Sequence, residues 1–196
     1  MVDLRMLRER ARYIILHPVR AWETINSEKR SVRTVQGSFL VPVLILVSLS
    51  AFLGSLIYNP SGLSILFPLV RALKQFICFY FTVLLSAWVL NEISLAFVQE
   101  KNYSFNFKLV TYSFTPLYLT VIITRFLPDL ALINLLGLYG AYIMYAGISS
   151  IENISSKSIL RYFIVALLIV IIFYLSISWI SRSVLEGMYF AFAGSI

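Results

Sequence analysis

Apolar residues along this chain follow two patterns. Over the first 27 residues they recur at helical spacing. Leu4, Leu7, Ala11, Ile14 and Ile15 fall within a stripe about 100° wide, with Arg5, Arg8, Glu9 and Arg12 on the other side. Pro18 cannot sit inside one straight helix but suits the first turn of a new one, so the spacing predicts two short helices, about 4–16 and 18–26. The second offers Val19, Trp22 and Ile25. Such a segment suits a membrane surface, with Arg5, Arg8, Arg12 and Trp22 at the level of the headgroups. The competing expectation is that it packs on the protein's own loops.

From residue 37 onward the apolar residues come in long runs, at 37–58, 74–98, 109–127, 130–149 and 159–181. Each is close to the ~20 residues that a bilayer core requires. The second can be counted from Pro68, giving a helix of about 31 residues and, at 1.5 Å each, about 46 Å. That exceeds the hydrocarbon thickness, so its first turns, with Arg71 and Lys74, project or tilt. The expected fold is all-α: a polytopic bundle of about five transmembrane helices (37–196) preceded by an amphipathic helical segment (1–36). The intervening loops leave no room for a second folded domain. No internal repeat is evident, which weighs against an inverted-repeat transporter.

Composition agrees: 60% of the 196 residues are hydrophobic and 13% charged, with a mean hydropathy of +0.87. Charge adds orientation. Of the 16 Lys and Arg, Arg5, Arg8, Arg10, Arg12, Arg20, Lys29, Arg30 and Arg33 precede residue 37. With the N-terminus inside, Lys101, Lys108, Lys157 and Arg161 join them, leaving Arg71, Lys74, Arg125 and Arg182 outside. This twelve-to-four bias predicts an inside N-terminus and an outside C-terminus. The net charge of +7 does not point to nucleic acid, because the basic residues alternate with Asp3, Glu9, Glu23 and Glu28 and no binding motif accompanies them. The first long apolar run continues into a full span, so no cleavable signal peptide is expected. Cys78 is the only cysteine and excludes an intrachain disulfide.

Polar residues inside the spans are the functional candidates. Glu92, beside Asn91, lies about seven residues from the end of its run, or ~10 Å deep. Its depth matches Thr111, Tyr112 and Thr115 on the third span and Tyr145 on the fourth, so a hydrogen bond to one of these regions is expected. Thr111, Thr115, Tyr118 and Arg125 share one face of the third span. Pro116 interrupts the backbone ladder there. On the fourth span Gly137, Gly140, Ala141 and Gly147 form a small-residue face, opposite Tyr139, Tyr142 and Tyr145. Gly137, Gly140 and Gly147 are expected to permit close helix packing. His17 is the sole histidine and lies outside the spans, while Asp3 and Asp129 are the only aspartates and neither is mid-span. No catalytic residue, metal site or cofactor site is therefore expected.

The run Lys108-Leu109-Val110-Thr111-Tyr112-Ser113-Phe114-Thr115-Pro116 resembles the Ypt-interacting protein (Yip) family in its prokaryotic branch. So does Leu136-Gly137-Leu138-Tyr139-Gly140-Ala141-Tyr142-Ile143-Met144-Tyr145-Ala146-Gly147, and Pro18, Trp22 and Ile25 fit the same pattern. One departure is Gly147-Ile148-Ser149-Ser150-Ile151-Glu152, where family members often carry a Pro-containing segment. The resemblance implies five spans, a cytoplasmic N-terminus and a prokaryotic cytoplasmic membrane. Eukaryotic relatives bind Rab-type GTPases in vesicle traffic. The expected function is a non-enzymatic membrane protein whose partners are the lipid bilayer and a protein not yet identified, with oligomerisation left open. The alternative is a small transporter or channel using the pocket around Glu92 and the third span.

Overall fold

The computed structural model describes residues 4–28, 30–58, 65–97, 100–151 and 155–193. Two short helices, α1 (Leu4–Leu16) and α2 (Pro18–Ser27), precede five long ones. These are α3 (Val32–Ile57), α4 (Leu66–Ala96), α5 (Tyr103–Phe126), α6 (Pro128–Ser149) and α7 (Ser156–Ala191), each long and apolar enough to cross a membrane. The protein is a polytopic helical bundle.

Its surface reads opposite to that of a water-soluble bundle. Leu160, Ile164, Leu168, Ile171, Leu175 and Trp179 recur at helical spacing along α7, and all are exposed. A solvated protein would bury such a stripe; a bilayer accepts it. At the centre lies α5, buried without interruption from Asn106 to Pro116 and packed between α3, α4 and α6.

Successive spans run up and down. Tyr58, just past the end of α3, donates to the Phe126 carbonyl at the end of α5 (2.8 Å). Lys74, near the start of α4, pairs with Glu186 near the end of α7 (2.5 Å). These contacts define one end of the bundle, the far end. At the other, the hairpin end, Tyr162 of α7 donates to Asn106 of α5 (2.7 Å).

The irregularities have local causes. Residues Gln36–Leu40 of α3 form a π-turn just before Pro42, whose ring cannot fit against the carbonyl four residues back. In α5 the helix breaks at Phe114, and Pro116 stands in the first turn of the second half. The first half of α6, Pro128–Leu138, is wound as 3₁₀ helix on either side of a kink at Leu130 (φ −90°, ψ 26°). At about 2.0 Å per residue the run after the kink, 131–138, covers ~16 Å, and the α-helical half adds ~16 Å.

One boundary differs from expectation. The last span does not stop at Ser181 but continues through a second π-turn, Arg182–Glu186, to Ala191. That extension brings Glu186 back against α4, where Lys74 and Arg71 meet it.

Candidate functional site: the N-terminal hairpin and its seat

Pro18 supplies the break between α1 and α2 and occupies the first turn of α2. The two helices form a hairpin whose apolar sides, Leu7, Ala11 and Ile14 on α1 and Ala21, Trp22 and Ile25 on α2, are buried in the bundle core. Arg5, Arg8 and Arg12 face outward, as the helical spacing requires.

Trp22 is 1% exposed, and its indole N–H donates to the Ile143 carbonyl of α6 at 2.8 Å. Its ring packs near Phe105 and Tyr112, with centroids 6.0 and 6.2 Å away. Gly147 makes this possible: a side-chain carbon there would fall 2.5 Å from the indole. Two further bonds set the direction of α2. The Tyr139 hydroxyl donates to the Ile15 carbonyl (3.0 Å), and the Asn26 amide donates to the Ser150 hydroxyl (2.9 Å). Eleven residues of each segment thus advance together, so α2 runs alongside the α-helical half of α6.

A charge clamp closes the other side. Arg10 reaches both carboxylate oxygens of Glu28 at 2.9 and 2.7 Å, and Arg30 joins at 2.9 Å. The ammonium of Lys108, a residue only 9% exposed, donates to the Glu28 carbonyl (3.4 Å). The Arg10 guanidinium also lies 5.3 Å from the Tyr112 ring centre. Tyr112 is itself held edge-on by Phe39 of α3. Hairpin, α3 and α5 therefore meet around one aromatic ring.

The glycine face of α6 lies against α5. A side-chain carbon at Gly140 would collide with the Ser113 carbonyl, and one at Gly137 would lie 2.8 Å from the Leu117 side chain. Gly54 of α3, in the small-residue run Ser50, Ala51, Gly54, Ser55, makes the same kind of approach to the Arg125 carbonyl. The four-residue spacing of those small side chains was the available signal for that crossing.

Between α2 and the outer face of α6 lies a groove of about 680 Å³, walled by Val19, Glu23, Asn26, Tyr142, Tyr145 and Ser149. Tyr139, Tyr142 and Tyr145 are all exposed beside the hairpin.

A family model, the Yip1 domain, matches residues 12–180. The chain belongs to the Yip1 domain family. No curated protein and no solved structure gives a significant match to it. The matched stretch of the Yip1 domain begins inside α1, so most of the hairpin is part of it.

Two expectations about site residues are corrected here. Trp22 does not face headgroups; the Ile143 carbonyl and the space above Gly147 draw its indole into the protein core. The polar cluster expected around Glu92 does not form. Glu92 is exposed near the end of α4 and pairs with Lys101 at 2.5 Å, with Asn91 3.4 Å away. The cause is the short connection to α5, which returns a lysine nine residues later to the same end. Thr111, Tyr112 and Thr115 are instead enclosed in the Yip1 domain's core, with the Thr111 and Thr115 hydroxyls lacking a partner among the described residues. Tyr145 faces outward and packs edge-on against Phe163. Of the third-span face, Tyr118 is likewise enclosed, whereas Arg125 leaves the stripe and donates to Gln75 (2.7 Å).

Proposed function

We propose that this protein is a non-enzymatic membrane protein that binds a protein partner at its hairpin end and organises it at the bilayer. The observation that carries this reading is the hairpin's fixed seat: Trp22, Asn26 and Glu28 tie it to α5 and α6 from both sides. A tethered but floating helix would serve as a lipid anchor alone. A fixed one presents a constant face, including the groove walled by Glu23, Asn26, Tyr142 and Tyr145. Tyrosine is among the residues that the cores of partner interfaces favour. Resemblance to proteins that bind Rab-type GTPases also supports a protein partner.

In this reading residues 1–36 are the cytoplasmic segment and 37–196 the membrane domain. The twelve-to-four distribution of basic residues supports an N-terminus inside and a C-terminus outside, in a prokaryotic cytoplasmic membrane. Exposed Tyr145, about one turn from the hairpin end of α6, suits the aromatic belt at the inner headgroup level. The transporter alternative gains nothing from Glu92, which faces away from the third-span hydroxyls.

A photo-crosslinking residue at Tyr145, with another at the lipid-facing Leu168 as control, tests the reading in native membranes. A discrete protein adduct from position 145, absent from 168 and lost on Glu23→Lys, is expected. Lipid adducts alone at both positions would contradict it.

A further inference from the structure

The far end has few basic residues, and they do not scatter. Arg71 and Lys74 of α4, Arg125 of α5 and Arg182 of α7 come from three helices and converge. Glu186 receives Lys74 at 2.5 Å, Arg182 at 3.5 Å and Arg71 at 3.8 Å, and its carboxylate is largely buried. Arg125 feels the charges of both Arg71 and Glu186, yet its direct partner is the neutral amide of Gln75, which is only 6% exposed. Three cations therefore pair with one carboxylate and Arg125 stands beside them, so among the described residues four positive charges meet one negative. Asp129, the other acidic side chain described at this end, is exposed on α6 and makes no ion pair among the described residues.

Partly buried like charges repel strongly unless an opposite charge joins them. The bilayer brings one into reach. At about 46 Å, α4 exceeds a ~30 Å hydrocarbon core, so its first turns stand at headgroup level. Arg71 and Lys74 are the sixth and ninth residues of α4. Guanidinium forks match phosphate oxygens in pairs, and the lysine adds a point charge.

We propose that Arg71, Lys74, Arg125 and Arg182 together bind a phosphate anion at the far end of the bundle. Its source is either the phosphodiester of an anionic lipid or free phosphate. Glu186 occupies part of the site and competes with the anion for these cations.

The test uses the full chain in neutral detergent, with thermal unfolding and native mass spectrometry as readouts. The probes are phosphatidylglycerol, phosphatidylcholine and inorganic phosphate. Phosphatidylcholine carries its own neutralising cation and serves as the control. The proposal expects phosphatidylglycerol or inorganic phosphate, but not phosphatidylcholine, to raise the melting temperature by several degrees and remain bound. Stabilisation by phosphatidylglycerol alone identifies the lipid as the source; stabilisation by inorganic phosphate identifies the free anion. The double variant Arg71→Gln, Arg182→Gln should lose the bound species several-fold, while Arg161→Gln, an exposed charge removed at the other end, should keep it. Glu186→Gln should bind at least as well, because it removes the competing carboxylate. No stabilisation by either anion overturns the proposal, as does equal loss in the Arg161→Gln variant or weaker binding in Glu186→Gln.

Discussion

Replacing Trp22 with alanine attacks the seat of the hairpin at its centre. The indole is 1% exposed, touches the α-carbon side of Gly147 and donates one hydrogen bond to Ile143. Truncating a buried tryptophan costs about 3–5 kcal/mol, because contacts are lost and the cavity collapses only in part. Here Gly147 has no side chain to fill the space, so the upper half of that range applies. Phenylalanine should cost far less. Ile143 lies inside the α-helical stretch Tyr139–Ser149, where its carbonyl also accepts from the amide four residues on, so losing the indole N–H leaves no orphan. Trp22→Phe should therefore cost about 1 kcal/mol. The readout is amide hydrogen exchange over residues 18–27 in lipid nanodiscs. If the hairpin opens locally, about 4–5 kcal/mol is a roughly three- to nearly four-decade faster exchange for alanine, against under one decade for phenylalanine. Unchanged protection in Trp22→Ala, or equal loss in both variants, would refute the docked geometry.

Other consequences are as direct. Gly140→Leu places a side chain against the Ser113 carbonyl, which α5 cannot move cheaply, and should lower the melting temperature in detergent by the equivalent of at least ~1–3 kcal/mol. Tyr162→Phe strips the hydrogen bond from Asn106, which is 2% exposed, and should cost ~1–3 kcal/mol in the same assay. Tyr145→Phe, whose ring faces outward, is the matched control and should cost nothing measurable. Glu92→Gln removes an exposed pair with Lys101 and should leave the melting temperature unchanged; a large drop would return Glu92 to the interior.

Much of the architecture was legible in the residues. Twenty apolar residues in a row leave few options, so all five spans could be placed, and Pro18 fixed the break between α1 and α2. The 31-residue length of α4 followed from counting back to Pro68, although the helix starts two residues earlier, at Leu66. What stayed hidden depends on tertiary contact. A tryptophan flanked by arginine reads the same whether it meets headgroups or a carbonyl above a glycine. Glu92 showed its depth but not its partner, because the pairing with Lys101 is made by the path of a connection. Lys108 looked like a loop charge, yet α5 begins at Tyr103 and carries it into the hairpin clamp. The continuation of α7 past Ser181 depended on Glu186 finding cations on another helix.

The central claim is that the hairpin is held along α6 rather than laid flat on the bilayer. A disulfide between Asn26→Cys and Ser150→Cys, in a background where Cys78 is replaced by alanine, measures it most directly. The tips of the two native side chains are 2.9 Å apart, which sets the two positions side by side in the docked hairpin. The docked hairpin predicts near-complete crosslinking in native membranes under mild oxidation, with an Arg12→Cys, Ser150→Cys pair remaining uncrosslinked. Failure of the 26–150 pair, or equal crosslinking of both, would show that the hairpin lies elsewhere.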